Sequence, residues 1–155
     1  MPFCALSVLW PVRSVDVSRQ WPDSVLIEVT ARTPVAAVDI DGHYHAMDSQ
    51  GVLFRPYRRP PANLPRVVTP ADTQSSALAE SARVIAALPA NLSARVDHVQ
   101  VLSIDRISLV LRSGQTAIWG NSSQSALKAE VLARLLTHPA RVYDVSVPGQ
   151  PVTTG

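Results

Sequence analysis

Val15–Phe54 reads VDVSRQWPDSVLIEVTARTPVAAVDIDGHYHAMDSQGVLF, and its apolar spacing decides what kind of domain this is. Val15 and Val17 alternate with Asp16 and Ser18, the period of a half-buried strand. Trp21-Pro22-Asp23-Ser24 turns the chain, because proline presets φ and aspartate can bond its own backbone. Val25, Ile27 and Val29 then alternate with Leu26, Glu28 and Thr30 in a second strand. Pro34 interrupts the ladder. Val35–Ile40 follows as a third strand, nearly all apolar and expected to be covered on both faces. Asp41-Gly42 is a two-residue hairpin signal, since both residues tolerate φ > 0. Tyr44–Met47 returns, Asp48–Gly51 turns again, and Val52–Phe54 closes a meander.

Beyond Phe54 the signals change. FRPYRRPPANLPRVVTP holds five prolines, which favours an extended surface connection over a helix. Thr69-Pro70-Ala71-Asp72 has the form of a helix start, with proline at the first position and an acid in the first turn. Leu78, Ala82, Ile85 and Leu88 recur on one helical face until Pro89. Val96–Ser103, Arg106–Arg112 and Gln115–Trp119 read as strands, with Ser113-Gly114 as a turn. Gly120-Asn121-Ser122-Ser123 leads to a second helix, where a hydroxyl is expected to cap a free N–H. In that helix Leu127, Val131 and Leu135 are expected to be buried, and Glu130 and Arg134 to pair at i,i+4. Arg141–Val147 is a last strand, with a frayed tail after it. Strands joined mostly by hairpins, with two helices between them, predict an α+β domain. Its sheet should be mostly antiparallel or mixed, with both helices on one face.

The apolar fraction of 46% is enough for a core in one domain of 155 residues. Aromatics are few, so that core must come mainly from Val, Leu, Ile and Ala. A formal charge of +2, with Lys128 the single lysine, does not call for a nucleic-acid partner. Cys4 is the only cysteine, which excludes an intrachain disulfide and a cysteine-based zinc site. No run reaches the roughly 20 apolar residues of a transmembrane helix. The opening MPFCALSVLWPV is short, broken by Pro2 and Pro11, and lacks a basic leader. Taken literally the chain is soluble and untargeted; the alternative is a chain that starts downstream of its true beginning.

The chemistry-bearing residues form no catalytic motif. His43 and His45 share a strand face and could bind a metal, as in a small metal-dependent hydrolase. Yet a third ligand would have to come from His98 or His138 with no motif to bring it. Exposed hairpin histidines are the simpler reading, with no metal and no cofactor. Arg55, Arg58, Arg59 and Arg66, with Tyr57, could form a patch for phosphate or for an envelope lipid. The loop has no glycine-rich cradle, and a solvated loop, facing acidic lipid or an acidic partner, is the simpler reading. Trp119 is either a core residue or a binding anchor at the sheet rim. The strand at Val142–Val147 would invite a partner strand if it lay at a sheet edge.

Several of these segments, in order, resemble the bacterial cell-division family FtsQ/DivIB, especially its actinobacterial members. Val12-Arg13-Ser14-Val15-Asp16-Val17 with Arg19-Gln20-Trp21-Pro22-Asp23-Ser24 is similar to the end of that family's POTRA domain. Ile27–Ala36 resembles its V-x-E-R-x-P-V-A junction, with Ala31 where glutamate is usual. Asp41-Gly42-x-Tyr44 and Asp48-x-x-Gly51-Val52-x-Phe54 resemble the hairpins that open its β domain. Leu109-x-Leu111-x-x-Gly114, Trp119-Gly120, Lys128 and Tyr143-Asp144-Val145-Ser146-x-Pro148 resemble its C-terminal half.

The resemblance implies residues 1–33 as the remnant of a POTRA domain, 34–148 as an FtsQ-type β domain, and 149–155 as a flexible tail. It implies a non-catalytic divisome scaffold at the septal plasma membrane, facing the extracytoplasmic side. The membrane anchor and the rest of the POTRA domain would be missing from this chain. The implied partners are coiled-coil division proteins of the FtsB/DivIC and FtsL type, with septal synthase components as further candidates. Contact would be strand addition at the C-terminal edge. That places the partner-binding residues at Val142, Tyr143, Asp144, Val145, Ser146 and Val147, with Trp119 beside them.

Overall fold

A computed structural model describes residues 11–155. Cys4 and most of the apolar opening segment lie outside the described residues. The chain divides into two compact units, Met1–Thr33 and Pro34–Gly155.

In the first unit β1 (Val12–Gln20) and β2 (Ser24–Ala31) form an antiparallel two-stranded ribbon around the Trp-Pro turn. Val15 faces Val29 and Val17 faces Ile27 across it, while Arg19 faces Val25. The period-2 reading of both strands is therefore right. The expectation of half-burial is not, because all five of these apolar residues are exposed, from 47% at Val15 to 66% at Val17. Among the described residues of this unit there is no second layer on which the two-stranded ribbon could bury a face.

The second unit is a nine-stranded mixed sheet in the order β11-β10-β9-β8-β7-β6-β3-β4-β5. β3 (Ala36–Ile40), β4 (His43–Met47) and β5 (Leu53–Tyr57) form the expected meander. Asp41 (φ 50°) and Gly42 (φ 83°) make its first turn, and Asp39 Oδ1 accepts a hydrogen bond from the Gly42 N–H. β6 (Arg66–Thr69) lies parallel to β3 on one side and to β7 (Val96–Ser103) on the other. β8 (Arg106–Leu111) and β9 (Thr116–Gly120) continue antiparallel. β10 (Val142–Asp144) returns parallel to β9, and β11 (Val152–Thr154) closes the row.

Pairing aligns Val38, Val67, Val99, Leu109, Ala117 and Tyr143 in one row across six strands. Every one is fully buried. They pack in a single core with Leu78, Ala82 and Val84 of α1 (Ser75–Ala87), Leu92 of α2 (Ala90–Ser93), and Ala129 and Leu132 of α3 (Ser125–Leu135). The neighbouring row, Arg66, His98, Val110, Thr116 and Val142, is only partly buried. The helices therefore cover one face of the sheet; the other face is partly open to solvent from β6 to β10, whereas Ala37 and Ala46 on it are fully buried. The α+β class holds, with a third, one-turn helix after Pro89 in addition to the two expected.

Other expectations are corrected. Thr69 ends β6 instead of capping a helix, because its Oγ1 donates to Val101 O of β7 at 3.1 Å. The helix starts at Ser75, after a turn closed by the Thr73 N–H on Pro70 O. In α3 the buried residues are Ser125, Lys128, Ala129 and Leu132, while Leu127 is 45% exposed. The anchors at Trp119 and Asn121 rotate α3 by about one residue position, roughly 100°. The tail Gly149–Gly155 does not simply fray. It turns at Pro148–Gln150, where the Gln150 N–H donates to Val147 O, and pairs as β11.

Candidate functional site

The C-terminal end of the sheet is assembled by a β9-α3-β10 crossover. Trp119 leaves β9 fully buried and donates its indole N–H to Ser125 Oγ at 3.3 Å, in the first turn of α3. Ser125 Oγ donates in turn to Ser122 O. Trp119 is therefore a core residue. Sequence pattern alone left core and anchor equally open, since a strand tryptophan before glycine suits either.

The Gly120–Ser123 loop was expected to cap α3 with a hydroxyl. Its N–H groups find other acceptors. The Ser123 N–H donates to Asn121 Oδ1 (3.0 Å), and the Ser122 N–H to Glu80 Oε1 (2.7 Å), reaching across to α1. Lys128 Nζ donates to Asn121 O (2.9 Å) from a side chain that is 2% exposed. Burial pulls the Lys128 pKa down, with Glu80 acting against it. Burial also works to raise the Glu80 pKa, but the hydrogen bonds from Ser122 and Arg83 bring it below the ordinary 4.5. Neither residue's structural part was legible, because each contact spans two elements.

Tyr143 is the centre of β10. Its hydroxyl donates to His138 O (2.8 Å) and accepts from the Gln115 amide (3.0 Å) and the Ala140 N–H (3.2 Å). Tyr143 and Val145 are both fully buried, so their side chains do not face a partner. Asp144 Oδ1 accepts from both the N–H and Oγ–H of Ser146, folding the chain out of the strand. Gly120 is backed by that bend, since a Cβ on it would lie 3.2 Å from Ser146 Cβ. Val147 is 59% exposed in the following loop.

The expected edge at Val142–Val147 is thus corrected. The paired ladder covers Val142–Asp144, with the Val145 N–H still donating to Ile118 O of β9, and β10 is flanked by β9 on one side and β11 on the other. The outermost strand is β11, where Val152, Thr153 and Thr154 are all exposed. Sequence reasoning missed it because three residues after two prolines carry no readable period.

At the far edge, β5 is blunted. Arg55 stacks over Tyr57, 5.0 Å from its ring centroid, and Pro56 can donate no N–H. Arg58 and Arg59 are exposed, while Arg66 pairs with Asp97 at 3.3 Å. The arginines of the loop do not act as one cluster. His43 is exposed at the start of β4, and His45 is half-buried opposite Val38. His98 Nδ1 is taken by Asp97 at 2.7 Å. Among the described residues no three His, Cys, Asp or Glu side chains group to hold a metal. No helix of the described residues is long and apolar enough to cross a membrane.

The fold is a mixed α+β domain whose sheet ends at an exposed three-residue strand, β11. Residues 36–146 match the family described as Cell division protein FtsQ/DivIB, C-terminal. The chain is 37% identical over 153 residues to the cell division protein FtsQ of Streptomyces bingchenggensis, covering 92% of this chain and 58% of the relative. It is 34% identical to FtsQ of Streptomyces coelicolor (93% and 60%). It is 36% identical to FtsQ of Mycobacterium tuberculosis (90% and 45%). Among solved structures, the major extracytoplasmic domain of DivIB from Geobacillus stearothermophilus is similar at TM-score 0.44 and 18% identity, covering 56% of this chain and 76% of that one. The chain belongs to the FtsQ/DivIB family of cell division proteins, and it spans little more than half the length of the first Streptomyces relatives.

Proposed function

We propose that this chain is the extracytoplasmic part of a septal divisome scaffold. It binds coiled-coil division subunits of the FtsB/DivIC and FtsL type by strand addition, without catalysis. The family membership supports the divisome role. The observation that carries the binding mode is the position of β11, outermost in the sheet with all three residues exposed. In an antiparallel strand alternate residues turn their N–H and C=O groups away from the neighbour. Those groups on β11 are free to pair with an incoming strand. Val142–Asp144 then acts one strand inward, as the support that holds β11 in place.

The test is binding of the extracytoplasmic segment of a coiled-coil division subunit from the same genome, measured by calorimetry. Val152→Pro and Thr153→Pro remove the N–H on opposite sides of β11. The substitution on the outward side abolishes binding with little loss of stability; no effect of either would sink the strand-addition reading.

The first unit is read, within the same proposal, as the end of a POTRA domain whose remainder lies upstream. Support comes from the uncovered apolar face of Val15, Val17, Val25, Ile27 and Val29. The relatives carry additional length that this chain does not match. In the proposed full protein an upstream helix anchors the domain to the membrane. Extending the chain with its upstream residues should bury this face, seen as slowed amide exchange in β1 and β2.

A further inference from the structure

An open groove of about 360 Å³ runs between the β5–β6 loop, the α1–α2 connection and the start of β7. Its walls are mixed, with an apolar side formed by Leu64, Pro65, Ile85, Leu88 and Val96. Two charged groups stand at its rim, Asp97 and Arg112, and they are not equivalent. Asp97 Oδ2 is already engaged by His98 (2.7 Å) and Arg66 (3.3 Å). Arg112 is exposed, and its side chain makes no hydrogen bond or close ion pair among the described residues, although its charge also acts on Asp97. Its backbone is nevertheless fixed, with the N–H donating to Arg95 O at 2.9 Å. Arg66, Arg95 and Arg112 against Asp97 leave this end of the sheet positive. Asn63 and Ser93, also at the groove, have side chains without a partner among the described residues.

We propose that this groove docks an extended peptide segment of a partner protein in which an aliphatic side chain adjoins a carboxylate. The aliphatic group sits against Leu64, Ile85 and Leu88, and the carboxylate meets Arg112. Asn63 and Ser93 are placed to bond the peptide backbone. The volume is at the lower end of ligand sites, roughly 300–1,000 Å³, enough for one or two side chains but short for a long acyl chain. β8, β9 and β10 separate β7 from β11. At about 4.8 Å per strand the groove is then roughly 20 Å from the edge, and it stands independently of the strand-addition reading.

The probe is acetyl-Leu-Glu-Leu-Glu-amide, titrated into the isotopically labelled chain and followed by amide shifts. The expected result is saturable shifts confined to residues 62–65, 85–97 and 112, with a Kd on the order of 1 mM. Arg112→Gln should weaken binding roughly 5-fold, the worth of one exposed charge contact. Ala94→Phe, which fills the groove from an exposed position, should abolish it. An unchanged melting temperature shows that both variants fold. Equal binding of acetyl-Leu-Lys-Leu-Lys-amide, or no response to either variant, overturns the proposal. Tighter binding of octanoate than of the peptide overturns it too, making the groove a small-carboxylate site.

Discussion

Lys128 Nζ donates to the carbonyl oxygen of Asn121 at 2.9 Å from the interior of the domain, where the lysine side chain is 2% exposed. This contact joins the end of β9 to α3, and the Glu80 carboxylate on α1 supplies the counter-charge nearby. One cation thereby ties the loop, α3 and α1 together. Lys128→Ala should cost about 3 kcal/mol, because it opens a buried cavity, leaves the Asn121 carbonyl without this donor and removes a counter-charge near Glu80. Lys128→Met, which keeps the apolar stem, should cost less than the alanine. Denaturant midpoints at constant slope decide the matter; equal costs would show that the lost charge and hydrogen bond, not the packing of the stem, set the effect.

The same pair makes stability rise with pH at the two ends of the scale. Glu80 has a folded pKa below its ordinary 4.5. It therefore binds fewer protons folded than unfolded, and its stabilisation is present above that value and lost as pH falls through the folded pKa. Asp97, held down first by the hydrogen bond from His98, adds to the slope below 3.8. Lys128 is also depressed, so its burial penalty is relieved as pH rises from its folded pKa toward 10.5. Glu80→Gln should flatten the acid limb of the stability curve, measured by denaturation between about pH 2 and 5. An acid limb as steep as in the parent would place the titration elsewhere.

Gly51 and Gly42 separate close approach from backbone preference. Both have positive φ, 79° and 83°. A Cβ at Gly51 would lie 2.5 Å from Ala79 Cα, where the turn meets the backbone of α1. At Gly42 nothing lies within 4 Å. Gly42→Ala should cost about 1 kcal/mol, the left-handed penalty alone. Gly51→Ala should cost at least about 2 kcal/mol more, since backbone must move. Melting temperatures of the two variants provide the comparison.

How far the chain explains itself can be seen in particular elements. Val96–Ser103 and the Asp41-Gly42 turn were readable because strand period and turn chemistry are local. The start of α1 was misplaced because Thr69 is claimed by Val101 O, a partner 32 residues away. The face of α3 was misjudged because Leu127 is as apolar as Leu132, and only tertiary anchors choose between them. The candidate edge was one strand off for the same kind of reason. Whether β10 is an edge depends on what pairs beside it, and Val152–Thr154 is too short to announce itself. Family likeness identified the chain's class, but not which strand lies outermost.

Tyr143 shows how that correction changes an experiment. As a partner-facing residue on an edge strand, it would give a Tyr143→Phe variant with normal stability and weakened binding. Its hydroxyl instead joins His138, Ala140 and Gln115 behind the sheet. Removing it leaves the Ala140 N–H and the His138 carbonyl without this partner. The expected loss is about 1–3 kcal/mol of stability. Affinity for a coiled-coil division subunit should stay unchanged at temperatures where the variant is folded. Thermal denaturation and calorimetry on the same sample separate the two readings. Weakened binding with unaltered melting would return the recognition surface to β10.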